Sequence, residues 1–231
     1  MTALAKPWLF LDDPPREPAL NMALDEALLE RVGGFRVPVL RCYGWTESAA
    51  TFGYFQRHRE IASLTSLRPL IRRPTGGGLV PHAEDWTYSL AIPAGHPWHR
   101  LRAAGSYIRL HRWLQDALNR LGLPAELAPQ AQADGPGQCF VGAEEHDLLL
   151  NGRKIAGAAQ RRTRLGLLIQ GSIQPPPPDI ERSRFLDLLR DSASAAWQVE
   201  WQPFEPTTDL LARADALVRE RYGRPEYNAR R

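Results

Sequence analysis

A chain of 231 residues with 43% apolar side chains is long enough for one large domain around an ordinary packed core. No apolar run reaches the roughly 18 residues that a membrane span needs. The start, MTALAKPWLFLDDPP, is too briefly apolar for a signal peptide, so a cytoplasmic protein is expected. The net charge of +3 rests on scattered arginines, paired at 72–73, 161–162 and 230–231, and suits an acidic protein partner or a phosphate-bearing ligand. Nucleic acid is not expected, because no aromatic-basic module or zinc-finger spacing is present. Two cysteines, no CxxC and six dispersed histidines make neither a disulfide framework nor a metal site.

Taken in chain order, WLFLDD (8–13) reads as a strand. Residues 18–34 read as an amphipathic helix with Leu20, Ala23, Leu24, Ala27 and Leu28 on one face, closed by the pair Gly33-Gly34. PVLRCYGW (38–45) is a strand in which Val39, Arg41 and Tyr43 oppose Leu40 and Cys42. A loop holding Gly53 and Gln56 leads to a helical turn near 58–64. Residues 69–73 and 79–82 are strand ends flanking TGGG, and WTYSLAIP (86–93) alternates as a further strand. Residues 103–122 form the clearest helix, with Ile108, Leu110, Leu114, Leu118 and Leu121 recurring near a 3.6 period. APQAQADGPGQ (128–138) is loop by composition. Three strands follow at 147–150, 154–160 and 165–173, the first two joined by Asn151-Gly152, a strong hairpin signal. PPPP at 175–178 ends the sheet, and helices near 179–190 and 205–222 complete the chain. Mixed helices and hairpins predict an α+β fold with a largely antiparallel sheet rather than a doubly wound one.

Three segments hold candidate chemistry. In RRPTGGGLVPH (72–82), Gly76, Gly77 and Gly78 let the backbone approach a ligand, and Arg72 and Arg73 are suited to a carboxylate or phosphate; a tight turn between strands would use the same glycines. It matches neither GxxxxGK[ST] nor GxGxxG. In NGRKIAGAAQRR (151–162), Lys154 follows a hairpin turn in a strand of small residues that includes Gly157, Ala158 and Ala159. It could meet a carboxylate, a phosphate or a developing oxyanion, or point to water as edge lysines do. Cys139, in GPGQCFVG, is a loop thiol able to act as a nucleophile beside a cation, or a half-buried structural cysteine; Cys42 reads as structural. His82 and His146 are further candidates, without a GxSxG elbow or a Ser-His-Asp order.

Together these segments resemble the lipoate-protein ligase/octanoyltransferase superfamily, which also includes biotin protein ligases. The likeness runs through NMALDEALL (21–29), LRCYGWTESAATFGYFQ (40–56), RRPTGGGLVPH with TYS (87–89), GRKIAGAAQRR with LLIQGSI (167–173), and RYGRPEYNARR at the end. It implies one catalytic domain over 1–231, α+β, with a central mixed and largely antiparallel sheet flanked by helices. It also implies a narrow apolar tunnel for the acyl chain, covered by the glycine loop and with Lys154 at its mouth, and Arg72, Arg73, Thr75, Gly76, Gly77, Gly78, His82, Gly157, Ala158 and Gln160 as substrate-binding residues. RRPTGG, TYS and Cys139-Phe140 ahead of GRKIAG resemble the cysteine-dependent octanoyltransferases, which implies Cys139 as nucleophile. The end of the chain soon after its last helix agrees with that branch, since many ligases of the superfamily carry a further C-terminal domain. The third glycine, Gly78, and VGAEEHD after Phe140 are ligase-like or atypical.

The expected reaction is therefore transfer of an octanoyl or lipoyl group from acyl carrier protein, through a Cys139 thioester, to a lysine of a lipoyl domain or glycine-cleavage H protein. A monomer that needs no cofactor and no metal is expected. An ATP- and Mg2+-dependent lipoate ligase is the alternative within the fold, and a non-catalytic acyl- or lipoyl-domain-binding protein is the alternative outside enzymology. Biotin ligation fits less well, because RRPTGGG is unlike the GRGRRG loop of biotin ligases.

Overall fold

The computed structural model describes residues 6–131 and 142–230. Two sheets organise them. The larger is built from β1 (Lys6–Asp12), β2 (Val39–Tyr43), β6 (Trp86–Pro93), β7 (Ala125–Leu127), β8 (Leu148–Leu150), β9 (Arg153–Arg162), β10 (Gly166–Ile173) and β11 (Val199–Pro203), in the order β11-β1-β2-β6-β10-β9-β8-β7. β1 runs parallel to both β11 and β2, and the remaining neighbours are antiparallel. The sheet is thus mixed and largely antiparallel, as its hairpins predict. The smaller sheet, in the order β4-β3-β5, contains β3 (Ala49–Phe52), β4 (Leu70–Arg72) and β5 (Val80–His82).

Helices cover both faces of the large sheet. The long ones are α1 (Pro18–Phe35), α4 (Ala103–Arg120), α5 (Arg182–Trp197) and α6 (Thr208–Leu217). Short turns are α2 (His58–Ala62), α3 (Pro97–Arg100) and α7 (Pro225–Asn228), with a π-helical turn at Val218–Tyr222 between α6 and α7. The period of β2 sorts the two cores. Leu40 and Cys42 join Leu110 and Leu114 of α4 and Phe185 and Leu189 of α5, whereas Val39 and Tyr43 join Met22 and Leu28 of α1 and Leu210 of α6. The first core holds a tryptophan cluster in which the Trp8 ring lies 5.9 Å from Trp98, 6.0 Å from Trp113 and from Trp197, and 5.7 Å from Trp201.

Several boundaries differ from the sequence expectation. α1 continues through Gly33-Gly34 and ends where Arg36 takes φ 62° and its N–H returns to Val32. Two helical glycines cost about 1 kcal/mol each, and Phe35 packing on Phe204 at 5.1 Å holds the last turn in place. Nor is α1 amphipathic, since Asn21, Asp25 and Glu26 are as buried as its leucines. The strands flanking TGGG do not pair with each other. Both pair with β3, which the polar run TES before it concealed. β11 was hidden because one strand among polar residues has no hairpin partner in sequence; it pairs with β1, the first strand of the chain. Asn151-Gly152 does form the two-residue turn, with φ 51° and 76°.

Candidate active site

Strand β10 is the axis on which the predicted segments converge. Its neighbour β9 pairs Gly157 with Ser172 and Ala159 with Gln170, so two small residues lie beside two buried polar ones. Gln170 accepts a hydrogen bond from Thr75 of the glycine loop at 2.7 Å. Ser172 donates to Asp85 at 2.6 Å. The loop of the second sheet and the lysine-bearing strand therefore meet β10 from two sides.

The glycine loop is shaped by its own arginines. Arg73 donates to Thr51 at 3.0 Å, to the Gly76 carbonyl at 2.7 Å and to the Gly78 carbonyl at 2.8 Å. Arg72, fully buried, donates to the carbonyls of Tyr54 and Gln56 at 2.8 and 2.7 Å and to that of Asn228 at 3.0 Å. Both guanidinium groups, expected at a ligand, donate to main-chain carbonyls here, and that of Arg73 also to the Thr51 hydroxyl. They hold the loop against residues 54–56 and against the C-terminal tail. Gly77 adopts φ 82°, and a Cβ on Gly53 would fall on the Gly77 carbonyl oxygen, so glycine is required on both sides of this contact.

His82 belongs to the same scaffold. Its Nε2 lies 2.8 Å from Thr51 Oγ1 and its Nδ1 lies 2.9 Å from Asp85. Thr51 Oγ1 also accepts from Arg73, so the imidazole bridges the hydroxyl that Arg73 holds and the Asp85 carboxylate. Burial raises the Asp85 pKa, but His82 and the hydrogen bonds from His82, Ser172 and Thr87 outweigh it, and the net shift is downward. His82 is thus a buried relay, stacked on Trp45 at 3.9 Å, that connects the loop to β6 and β10.

Lys154 sits two residues beyond the hairpin turn with 7% of its side chain exposed. Its Nζ lies 2.6 Å from Asp147, whose side chain is fully buried, and donates to the Gly142 carbonyl at 3.3 Å. A Cβ on Gly157 would stand 2.8 Å from Lys154 Cε, so the missing side chain makes the lysine's path. Ala158, one residue on, gives its N–H to Tyr107 at 3.3 Å. Gln160 is turned the other way: it accepts from Ser106 and donates to the Ala103 carbonyl, fastening α4 rather than approaching the loop. His146 lies at φ 73° just before Asp147.

The sequence reading missed four polar centres: Asp147, Tyr107, Asp85 and Asp25. Asp25 accepts from Arg41 at 2.7 Å, Tyr43 at 2.8 Å, Ser89 at 2.6 Å and Gln170 at 2.7 Å, which joins α1, β2, β6 and β10 in one buried network. A signal for Asp147 existed. The Asn151-Gly152 turn sets Leu149 opposite Lys154, and extending that register places Asp147 near 156–157. Cys139 and its neighbours lie outside the described residues. Cys42 is buried, and burial pushes its thiol up to about 12, which leaves it inert as a nucleophile. Among the described residues, no helix is long and apolar enough to cross a membrane, and no group of three His, Cys, Asp or Glu could hold a metal.

Comparison with known proteins agrees with this architecture. The model of the lipoyl protein ligase A/B catalytic domain matches residues 17–178. The octanoyltransferase LipM of Macrococcus caseolyticus is 35% identical over 179 residues, covering 72% of this chain and 65% of that protein. The LipM of Brevibacillus brevis is 28% identical over 97% of this chain and 99% of its own length. The chain thus spans just under two thirds of the first relative and nearly all of the second. Among solved structures, a chain of the bi-partite lipoate protein ligase system of Thermoplasma acidophilum shares the fold with a TM-score of 0.73, at 18% identity, over 98% of this chain and 96% of its own.

Proposed function

We propose that this chain, which belongs to the lipoyl protein ligase A/B catalytic domain family, is an acyltransferase that moves an octanoyl group from acyl carrier protein to a lysine of a lipoyl domain or glycine-cleavage H protein. The observation that carries the reading is the placement of Lys154, a nearly buried cation laid across Gly157 in a strand of small residues and braced by Asp147. An ammonium fixed in this way is suited to a carbonyl oxygen on which negative charge develops. The similarity to octanoyltransferases named LipM supports octanoyl as the group moved.

The transfer runs in two steps. The Cys139 thiolate attacks the thioester carbonyl of octanoyl-acyl carrier protein; the carbon–sulfur bond to Cys139 forms, the bond to the carrier breaks, and the carrier leaves as a thiolate that takes up a proton. The acceptor lysine, as a neutral amine, then attacks the octanoyl-cysteine, loses a proton and releases the Cys139 thiolate. Lys154 and main-chain N–H groups stabilise the oxyanion of both tetrahedral intermediates. The assignment to Cys139 gains support from Cys42, whose burial removes the other thiol from consideration.

Intact mass after incubation with octanoyl-acyl carrier protein tests this. One octanoyl adduct is expected on the wild type, discharged by hydroxylamine and absent from Cys139→Ser. Acylation of a lipoyl domain only with ATP and free acid, with no adduct on the protein, would replace the transferase by an ATP-dependent ligase. Tight binding of octanoate or lipoyl domain with no product from any donor would indicate a binding protein.

A further inference from the structure

The described residue closest to the Lys154 ammonium is a carboxylate that the sequence reading did not select. Asp147 is held from every side that its own main chain and side chain offer. Its N–H donates to the Glu144 carbonyl at 3.0 Å, its carbonyl accepts from Ala128 at 2.8 Å, and its Oδ2 accepts from the Glu144 N–H at 2.7 Å as well as from Lys154 at 2.6 Å. Its Oδ1 accepts from the Tyr107 hydroxyl, and that same phenolic oxygen accepts from Ala158 N–H at 3.3 Å. The Tyr107 ring in turn rests against His111, 4.2 Å away, a ring with no exposed surface. The path from Lys154 thus passes through two groups with fixed partners and ends inside α4.

We infer that Asp147 and Tyr107 are the positioning residues of the reaction: Asp147 aims the Lys154 ammonium at the reacting acyl carbonyl, and Tyr107 fixes the carboxylate that does so. This rests on the reading of Lys154 as the cation at that carbonyl. A lysine stem has four rotatable bonds, and a cation free to sample them would lose much of its effect on a transition state that requires it in one place. Gly157 fits the same purpose, because a Cβ there would press on Lys154 Cε, on Nζ at 3.1 Å and on Asp147 Oδ1 at 3.1 Å. Space and direction for one side chain are therefore set by residues from β9, α4 and the segment before β8. Neither Asp147 nor Tyr107 needs to touch the substrate.

The test is steady-state transfer from octanoyl-acyl carrier protein to a lipoyl domain by the full chain, for Tyr107→Phe, Asp147→Asn and Lys154→Ala, alone and in pairs, with the thermal midpoint of each. Expected is a fall in kcat on the order of 10–100-fold for Asp147→Asn, and a smaller fall for Tyr107→Phe, with KM for the donor within about twofold. In the Lys154→Ala background, neither substitution should cost anything further, which a general loss of structure would not reproduce. Tyr107→Phe keeps the ring and secures the test if Asp147→Asn fails to fold. Multiplicative losses in the double variants, or an unchanged kcat in folded Tyr107→Phe and Asp147→Asn, would overturn the positioning role. Near-normal turnover by Lys154→Ala would overturn the premise itself, a result distinguishable from both.

Discussion

The hydroxyl of Thr75 donates to the side-chain oxygen of Gln170 at 2.7 Å, and this contact joins the glycine loop to the central strand of the sheet. Gln170 passes the connection on, donating to Asp25 at 2.7 Å, so a residue of the loop is coupled to a carboxylate inside α1. Thr75 is 1% exposed, and water cannot replace its hydroxyl without a local opening. Thr75→Val keeps the shape and removes the donor, leaving Gln170 Oε1 buried without it. A loss of about 1–3 kcal/mol is expected in urea denaturation, together with a raised KM for the acyl donor as the loop loses its anchor. Thr75→Ser, which keeps the hydroxyl, should recover most of both. Wild-type stability and KM in Thr75→Val would show that the loop does not depend on this bond.

Two glycines predict opposite outcomes for the same substitution. A Cβ on Gly53 would collide with the main chain of Gly77, where neither side has a flexible end to move. Gly53→Ala is expected to destabilise by about 1–3 kcal/mol and to lower transfer activity, since the displaced atoms are those of the glycine loop. Gly33 lies in α1 with nothing within 4 Å of a Cβ and no positive φ. Gly33→Ala is expected to stabilise by about 0.5–1 kcal/mol without altering kcat. Thermal midpoints that move together in the two variants would contradict this account of the Gly53 contact.

These contacts show what the sequence discloses and what it withholds. Strand period identifies β6 and β10, and Asn151-Gly152 identifies the hairpin that presents Lys154, because those signals are local. The glycine loop is visible for the same reason. The tasks of Arg72 and Arg73 are not: the Arg72 guanidinium donates to the Asn228 carbonyl across 156 positions, and that of Arg73 folds back on the Gly76 and Gly78 carbonyls of its own loop. A buried arginine that satisfies main-chain carbonyls and one that awaits an anion look alike in sequence, and only their hydrogen-bond partners in the fold separate them. The same limit applies to Asp25 in α1, where a carboxylate among leucines at helical spacing suggests a polar edge. In the fold it accepts four hydrogen bonds from three strands.

The two cysteines should separate cleanly in reactivity. The Cys42 pKa is raised from 9.0 to about 12 by burial, which reduces its thiolate fraction about a thousandfold at any pH well below 9. Iodoacetamide on the native protein is therefore expected to leave Cys42 unmodified for hours, and to label it in urea. Tryptic mass spectrometry distinguishes the two sites. If Cys139 is the nucleophile proposed above, it alone should react in the native protein, and prior octanoylation should protect it. Native labelling of Cys42 would mean that β2 opens far more readily than its burial allows.

His111 supplies a pH dependence that can be measured apart from catalysis. Its ring is fully buried against Tyr107, and burial lowers its pKa from 6.5 to about 4, outweighing the Asp147 carboxylate, which pulls in the opposite direction. Between those values the unfolded chain binds a proton that the folded chain refuses, so stability falls as pH drops from about 6.5 towards 4 and the penalty levels off below. The expected loss is on the order of 2–3 kcal/mol across that window. Carboxylates such as Asp85, whose folded pKa is lowered, add their own loss at more acidic pH, below about 4, so the two contributions separate on the pH axis. Urea midpoints at pH 7, 6, 5 and 4.5 would display the His111 slope through the tryptophan fluorescence of the core. His111→Phe, which keeps an aromatic ring beside Tyr107, should reduce the slope and leave the part due to His96, whose pKa burial also lowers to about 4; an unchanged slope in that variant would assign the proton to another group.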